Sequence, residues 1–483
     1  MQFATITRTL GLLIMIFSLT MIPPSIVALI YKDGGGSAFF ATFVLALISG
    51  FFIFLSKRQA KNELKIRDGF LIVSLFWTVL SLIGAIPFLL IGEYSLSFAD
   101  AVFESFSGIT TTGATVIVNI DELPHSVLFY RQQLQWLGGM GIIILAVAIL
   151  PMLGIGGMQL YRAEIPGPMK DSKLTPRIAG TAKSLWYIYV GLTIACAFSY
   201  WLAGMSAFDA IGHSFSTVAT GGFSTHNDSI GFFQNDTIEM ICILFMFLGG
   251  INFSLHFFAV RKLSMTPYLK DTEFRVYTLI LLTVGLIGAI ILLIDYNYSS
   301  FYEAFLHTLF HTVSFATSSG FATAEYYAWP LAVSVLLIFV SFPGGSAGST
   351  SGGMKVIRIV LLFKQGFREI KRLIHPNGVF IIKLGKESVN DKVVNSVWGF
   401  FATYIMFFVI LMFILLSQGL DQVTAFSAVA ASMNNLGPGL GEVAQNYSSL
   451  NDLTKYVLSF AMLLGRLEIF TLLVLFTPYF WRK

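Results

Sequence analysis

The sequence predicts an all-α polytopic membrane protein in which two leading transmembrane helices precede four internal repeats. Three observations predict this class: the composition, the number of long apolar segments, and one short pattern that recurs four times. Hydrophobic residues make up 55% of the 483 residues and charged residues only 12%, with a mean hydropathy of +0.77. Soluble domains carry about 25% charged residues. The composition therefore excludes an ordinary soluble protein.

Ten apolar segments are long enough to cross about 30 Å of hydrocarbon as helices. They cover residues 9–31, 37–56, 69–92, 132–153, 185–204, 237–260, 276–294, 329–365, 394–417 and 455–479. The eighth contains a run of glycine and serine in its middle and is not expected to be one continuous helix.

The distribution of basic residues orients these segments. If the amino terminus is cytoplasmic, the inside segments hold 26 of the 30 Lys and Arg residues. Cytoplasmic loops of membrane proteins carry an excess of Lys and Arg. We therefore expect a multi-pass protein with both termini in the cytoplasm.

Four external segments are too long and too apolar to be ordinary loops. Each begins with a helix-capping pattern, and these patterns are Ser97-x-x-Asp100, Ser206-x-x-Asp209, Ser300-x-x-Glu303 and Asp421-x-x-Thr424. A short apolar helix follows, and then a turn of small residues that contains glycine. The glycine comes 13 residues after the last residue of the capping pattern in three copies and 17 residues after it in the third copy, which is one extra helical turn.

The repeating unit is therefore a span, a short helix, a glycine turn and a second span. We assign the two leading helices to residues 1–68 and the four repeats to residues 69–160, 161–265, 266–375 and 376–483. The alternative is a series of unrelated helices with glycine at packing sites. That alternative does not predict coincident caps and coincident helix lengths.

Ten to twelve helical residues span only about 15–18 Å, which reaches the middle of a membrane. The chain must then continue as irregular backbone, which is tolerated at that depth only when it is buried in protein or lines a watery cavity. Four such turns around one axis would form a ring of carbonyl oxygens that can replace the hydration shell of an ion. The negative ends of the four helix dipoles also favour a cation.

The residues of the four turns have little side-chain chemistry in common, so we expect the main chain to supply the ligands. The predicted filter consists of Thr111, Thr112 and Gly113; Thr220, Gly221 and Gly222; Ser318, Ser319 and Gly320; and Asn435, Leu436 and Gly437. Glycine readily takes the backbone angles that would turn carbonyl groups toward an axis. Acidic residues of the external segments, such as Glu104 and Asp121, could raise the cation concentration at the mouth, although ordinary solvated loop charge explains any single one.

With these turns in place, the sequence resembles the Trk/Ktr superfamily of potassium-uptake proteins, and its TrkH type in particular, over essentially the whole chain. The resemblance implies potassium uptake through a pore in each protomer of a homodimer in the bacterial inner membrane. It also implies regulation by a cytosolic nucleotide-binding ring of the TrkA type. All four filter glycines are present, which in this superfamily favours potassium over sodium.

The eighth apolar segment contains the glycine-rich loop, residues 343–353, which cannot remain a good helix because each glycine costs about 1 kcal/mol relative to alanine. We expect it to line the cavity below the filter, and the resemblance implies an obstruction that moves to open the path. The predicted gating residues are Gly344, Gly345, Gly348, Gly352, Gly353 and Arg466. Met354 stands where a phosphate-binding loop needs lysine, so we expect no nucleotide binding at this loop. The resemblance implies that nucleotide acts only through a regulatory partner.

Arg466 lies inside the last span, where a charge is costly and usually marks function. It occupies the position at which other repeats have glycine, so we expect it to point toward the pore. We interpret it as a latch that bonds the free carbonyl groups of the glycine-rich loop and repels cations. A pin between helices with no gating role remains the alternative.

No catalytic constellation, covalent cofactor or nucleic-acid-binding feature is evident, so we expect a transporter and not an enzyme. Potassium at the filter is the only expected metal, and membrane lipid is an expected partner. A cation carrier coupled to protons or sodium, working by alternating access, remains the second hypothesis, because Arg466 and Glu468 lie within a span.

Overall fold

The computed structural model describes residues 1–60, 64–141, 178–295, 298, 300–385 and 387–482. The predicted all-α class is confirmed, and the strands in these ranges form one short antiparallel hairpin, β1 (Lys383–Leu384) with β2 (Glu387–Ser388). Within the same ranges, six helices are long and apolar enough to cross a membrane, or eight when each of two bent pairs counts as one span. The protein is a polytopic membrane protein.

The two leading spans form an antiparallel pair. Helix α1 (Phe3–Ser18) continues through a 3₁₀ turn into α2 (Ile22–Tyr31), and α3 (Gly36–Ser56) returns along them. A Cβ at Gly11 would lie 2.8 Å from the carbonyl oxygen of Gly50, so glycine at this crossing lets the two backbones approach closely.

Four units follow, each with a long outer helix and a short helix. The outer helices are α4 (Ile66–Leu90), α7 (Ile178–Leu202), α12 (Thr272–Asp295) and α16 (Asp391–Ser417). The short helices are α5 (Phe98–Ile109), α8 (Ala207–Val218), α13 (Phe301–Ala316) and α17 (Gln422–Met433).

The short helices begin and end where the sequence predicts. Ser97, Ser206 and Ser300 accept the backbone N–H three residues later through their hydroxyl oxygens, and Asp421 accepts two N–H groups. Three of these helices have 12 residues and the third has 16, which confirms the extra turn. Most of their residues are buried.

The second helices of the units are interrupted. In the first unit α6 (His125–Trp136) continues as a π-helical turn over Leu137–Gly141, and the rest of the span predicted for 132–153 lies outside the described residues. In the third unit α14 (Leu331–Ser341) and α15 (Val356–Ile374) flank the glycine-rich loop, as predicted.

The prediction of continuous spans over 237–260 and 455–479 was wrong. Helices α9 (Asp236–Gly249) and α10 (Phe253–Lys262) meet at 99°, and α18 (Asp452–Arg466) meets the segment that begins with α19 (Phe470–Leu473) at 107°. The first break is stabilised because Asn252 caps α10 by accepting the N–H of Ser254. At the second break Glu468 and Ile469 have left-handed φ values of 49° and 55°.

Both ends of the chain lie at one face of the helix bundle. Gln2 donates its N–H to the carboxylate of Asp68 at 3.2 Å, and the neighbouring Arg67 donates to the carbonyl oxygen of Arg482 at 2.9 Å. The predicted orientation, with both termini in the cytoplasm, requires this arrangement. Two further α-helices of four or five residues, α11 (Thr266–Lys270) and α20 (Pro478–Trp481), lie outside these units' named helices.

Candidate ion-conduction site

Each short helix ends in the same backbone turn, which we call a filter turn: residues 110–114, 219–223, 317–321 and 434–438. Two positions in each turn have left-handed φ. The non-glycine positions are Thr111 (57°), Thr220 (52°), Ser318 (56°) and Asn435 (52°), and the glycines are Gly113 (83°), Gly222 (82°), Gly320 (77°) and Gly437 (96°). A left-handed non-glycine residue costs about 1–2 kcal/mol, so the same local strain is present four times.

Hydrogen bonds to the preceding helix hold each turn in this shape. The residue between the two left-handed positions donates its N–H to the carbonyl five residues earlier, at 2.7–2.8 Å, and these donors are Thr112, Gly221, Ser319 and Leu436. This bond is the one that closes a helix with a left-handed cap. The turns are therefore continuous with the C-terminal ends of the short helices.

The four filter turns contact one another in a closed ring. A Cβ added to the glycine of one turn would collide with a carbonyl oxygen of the next turn, that of the residue just before the next glycine. The distances from the added Cβ to that oxygen are 2.1 Å for Gly113 and Gly221, 1.8 Å for Gly222 and Ser319, 2.2 Å for Gly320 and Leu436, and 2.6 Å for Gly437 and Thr112. The order runs from turn 1 through turns 2, 3 and 4 and back to turn 1. Each glycine is therefore required by its φ and by its neighbour's carbonyl group.

The surrounding helices support this ring with polar side chains that the sequence analysis did not single out. Gln135 of α6 donates to the carbonyl oxygen of Gly221 at 2.6 Å and accepts the N–H of Phe223 at 3.0 Å. Tyr447 donates its hydroxyl to the carbonyl oxygen of Gly437 at 2.7 Å. A buried glutamine within an apolar segment was the available signal for the first contact.

Glu104 is neither a charge at an acidic mouth nor an ordinary solvated loop charge, so both interpretations were wrong for this residue. Its carboxylate is fully buried on α5 and pairs with Arg131 at 2.7 Å. Arg131 also donates to Thr115 and to the carbonyl oxygen of Ser224, which belongs to the second unit. The ion pair therefore joins the first two units behind their filter turns.

A histidine joins the same two units nearer the surface. His226 bonds Asp121 through Nδ1 at 2.8 Å, and its Nε2 lies 3.5 Å from a carboxylate oxygen of Asp209. Partial burial opposes protonation of this imidazole, but the two carboxylates outweigh it and raise the pKa of His226 above its ordinary value. Asp121, at 44% exposure, thus has a structural partner.

The glycine-rich loop lies against filter turns 2, 3 and 4. Thr350 accepts a hydrogen bond from Thr220 at 3.3 Å, Gly352 donates its N–H to Ser318 at 2.6 Å, and Gly353 donates its N–H to the carbonyl oxygen of Asn434 at 3.1 Å. A Cβ at Gly352 would lie 2.0 Å from that same Asn434 oxygen. The loop could not approach this closely with a larger residue at position 352.

Other predicted gating glycines shape the loop itself. Gly344, Gly348 and Gly353 have φ values of 67°, 74° and 74°. A Cβ at Gly345 would lie 2.9 Å from the carbonyl oxygen of Gly250, at the bend between α9 and α10. The loop and the bend in the second unit therefore pack directly against each other.

Arg466 links the loop to the first filter turn, as expected of a residue that points inward. One guanidinium nitrogen donates to the carbonyl oxygen of Thr350 at 3.1 Å and to the hydroxyl of Thr111 at 3.2 Å. The other donates to the carbonyl oxygens of Gly138 and Gly139 at 2.6 and 2.7 Å. These contacts fit both the latch and the pin between helices.

Glu468, the other charged residue expected within this span, forms an ion pair with Arg358.

The ring offers backbone oxygen atoms and no charged side chain among the predicted filter residues. Thr111, Thr220, Ser318 and Asn435 are all buried, and their polar side chains are engaged by the loop, by Arg466 or by a neighbouring turn. Rings of carbonyl oxygens can replace the hydration shell of a monovalent cation. The described residues contain no cluster of three or more His, Cys, Asp or Glu that could hold another metal ion.

Comparison with known proteins agrees with this geometry. Residues 35–483 match the TrkH family, described as a cation transport protein. The chain is 57% identical to the Trk system potassium uptake protein TrkH of Vibrio parahaemolyticus over 485 residues and 55% identical to that of Escherichia coli over 483 residues, with 100% of each chain covered.

A solved structure shows the same fold. The crystal structure of the potassium transporter TrkH from Vibrio parahaemolyticus matches with a TM-score of 0.91 and 54% identity, again over 100% of both chains. The matched family consists of transport proteins, which confirms the expectation that this protein is not an enzyme. The chain therefore belongs to the TrkH family of cation transport proteins.

Proposed function

We propose that this protein takes up potassium across the bacterial inner membrane through the ring of four filter turns. The observation that carries the proposal is the closed chain of contacts between each glycine and the carbonyl group of the next turn. The relatives named above are potassium uptake proteins, and they cover the whole length of the chain. Potassium is the transported ion and binds at the twelve predicted filter residues.

The backbone geometry supports selection by main-chain oxygen. The four turns repeat the same φ pattern although their side chains range from threonine to leucine. Identical backbone with dissimilar side chains is what a site built from carbonyl groups requires. The short helices also direct their negative dipole ends at the ring, which favours a cation there.

The glycine-rich loop is the gate in this proposal. It bonds three filter turns directly, and Arg466 connects it to the first, so this conformation closes the path beneath the ring. Opening would break those bonds and move the Arg466 guanidinium away from Thr350. The glycines at 344, 348 and 353 give the loop the backbone freedom that such a movement needs.

The homodimer and the regulatory partner remain part of the proposal. The amphipathic helix α15 directly follows the glycine-rich loop and exposes Phe363, Phe367 and Leu373 at 66%, 64% and 83%. A second protomer, lipid or a TrkA-type nucleotide-binding ring that bound this helix could pull on the loop. Nucleotide would then control the gate without binding this chain.

A carrier coupled to protons or sodium is less well supported. Its expected coupling groups were Arg466 and Glu468, and the structure engages both: Arg466 with four oxygen acceptors and Glu468 with Arg358. A coupling group must be able to bind or release the coupling ion, and in this conformation the charges of both residues are already engaged by protein groups.

The test is uptake of isotopic rubidium into liposomes that contain the purified protein. We expect downhill uptake that potassium blocks and sodium leaves largely unchanged. Uptake that required a proton gradient would favour the carrier, and uptake that sodium and potassium inhibited equally would contradict a selective filter. Liposomes without protein provide the background.

A further inference from the structure

A single carboxylate oxygen bonds both the middle of the glycine-rich loop and the start of the helix that follows it. Glu273, near the start of α12, accepts the N–H of Ala347 at 2.9 Å and the N–H of Ile357 at 3.0 Å through the same oxygen, Oε1. The two nitrogen atoms are therefore less than about 6 Å apart, although their residues are ten positions apart in the chain. The carboxylate therefore holds the second half of the glycine-rich loop against the first turn of α15.

Glu273 also completes the start of α15. The residue before this helix, Lys355, has a left-handed φ of 77° and its side chain makes no capping bond. The first N–H groups of a helix need acceptors from outside the helix. Gly345 accepts the N–H of Val356 at 3.1 Å, and the carboxylate accepts that of Ile357. A negative charge at this end of a helix is also favourable.

The carboxylate acts here on the backbone. Lys355 donates to the carbonyl oxygen of Ser351, and Arg358 pairs with Glu468, so the neighbouring cations have other acceptors. Glu273 is only 8% exposed, and loss of its oxygen would leave two N–H groups without an acceptor. A buried donor without an acceptor is unfavourable, because it has lost its hydrogen bond to water and gained none in the protein.

We propose that Glu273 is a positioning residue that holds the gate closed, an inference that rests on the proposed gating role of the loop. Ala347 lies between two other anchors, because Ser346 donates its N–H to Gly250 at 2.8 Å and Gly348 accepts that of Phe253 at 3.0 Å. In this proposal the loop leaves the filter turns as one unit, which carries Ala347 away from Glu273. The outer helix of the third unit therefore helps to set the equilibrium between closed and open loop.

The test compares Glu273→Met with Glu273→Gln in the full-length protein, measured as rubidium uptake into liposomes without a regulatory partner. Methionine keeps the length of the side chain and removes both oxygens, whereas glutamine keeps Oε1 as an acceptor. We expect Glu273→Met to raise uptake about tenfold, because a tenfold shift corresponds to about 1.4 kcal/mol, within the cost of the lost bonds. Glu273→Gln should stay within about twofold of the wild type.

A matched control and a second measurement keep the test decisive. Glu239→Met is the matched control, because it removes another buried carboxylate, located on α9. Among the described contacts this carboxylate has no hydrogen bond to the loop, so the substitution should not raise uptake. Hydrogen exchange of residues 343–357 should rise in Glu273→Met and not in Glu273→Gln. If Glu273→Met does not yield folded protein, Glu273→Gln still tests the acceptor role. Because glutamine keeps the accepting oxygen, raised uptake or raised exchange in this variant contradicts that role.

Arg466→Ala distinguishes failure of the positioning role of Glu273 from failure of the gating role of the loop. If Arg466→Ala raises uptake and Glu273→Met does not, the positioning role is wrong and the gate stands. If neither substitution changes uptake, the gating role of the loop is itself overturned.

Discussion

The contact between Gly222 and the third filter turn gives the sharpest prediction about the ring. An alanine at position 222 would place its Cβ 1.8 Å from the carbonyl oxygen of Ser319, and real Cβ atoms essentially never approach a neighbour closer than 3.0 Å. One of the two turns must therefore shift by more than about 1 Å. Because the third turn contacts the fourth in the same way, the displacement reaches the rest of the ring.

A second glycine isolates the effect of backbone conformation. Gly204 has a φ of 108°, and a Cβ there would meet nothing within 4 Å. Gly204→Ala thus incurs only backbone strain, about 1–3 kcal/mol. Gly222 has a φ of 82°, so Gly222→Ala incurs comparable backbone strain. Unlike Gly204→Ala, it also displaces the ring sterically.

The assay is rubidium uptake into liposomes at equal protein incorporation, with potassium and sodium as competitors. We expect Gly222→Ala to reduce potassium-sensitive uptake at least about tenfold, which corresponds to about 1.4 kcal/mol. Gly204→Ala should stay within about twofold of the wild type. The reasoning would be refuted if Gly222→Ala transported at the wild-type rate with unchanged preference for potassium over sodium.

Three further predictions concern the contacts around the ring. Arg466→Gln shortens the side chain that bonds Thr350, so basal rubidium uptake should increase; unchanged uptake would leave Arg466 as a pin between helices. Either Glu104→Gln or Arg131→Met alone should lower the melting temperature in detergent, since a buried charge without its partner costs about 3–5 kcal/mol, and the double variant should recover much of the loss. Equal losses in the single and double variants would contradict the pairing. Because the pKa of His226 is raised in the folded protein, the stability it contributes is present below about pH 6.5 and is lost as the pH rises through its folded value. The difference in melting temperature between the wild type and His226→Gln should therefore shrink with increasing pH, and a constant difference would argue against the ion pairs.

The sequence predicted the elements whose signals are local. The caps of the four short helices, the extra turn in the third and the position of each filter glycine all follow from residues within about twenty positions of one another. The interruption of the eighth span was also predictable, because consecutive glycines disfavour a helix.

The bends in the second and fourth units were not predicted, because long apolar segments suggested continuous spans. A glycine pair followed by the capping residue Asn252 was a local signal for the first bend. The second bend depends on distant contacts: Glu468, at the bend, pairs with Arg358, which is 110 residues away. Such a partner has no local signature.

The same limit applies to the polar residues that support the site. Gln135 and Gly221 are 86 positions apart, and Glu273 is 74 and 84 positions from its two partners. A buried polar side chain in an apolar segment indicates that some partner exists. Only the tertiary structure identifies the partner, and for this reason the sequence predicted the filter glycines and not the residues that hold them.

Anomalous scattering from thallium or rubidium bound to crystals of this protein tests the central claim most directly. We predict a peak inside the ring, in contact with main-chain oxygens of the four filter turns and absent when sodium replaces the heavier ion. A peak held instead by carboxylate side chains, with the space between the turns empty, would contradict a filter built from backbone carbonyl groups.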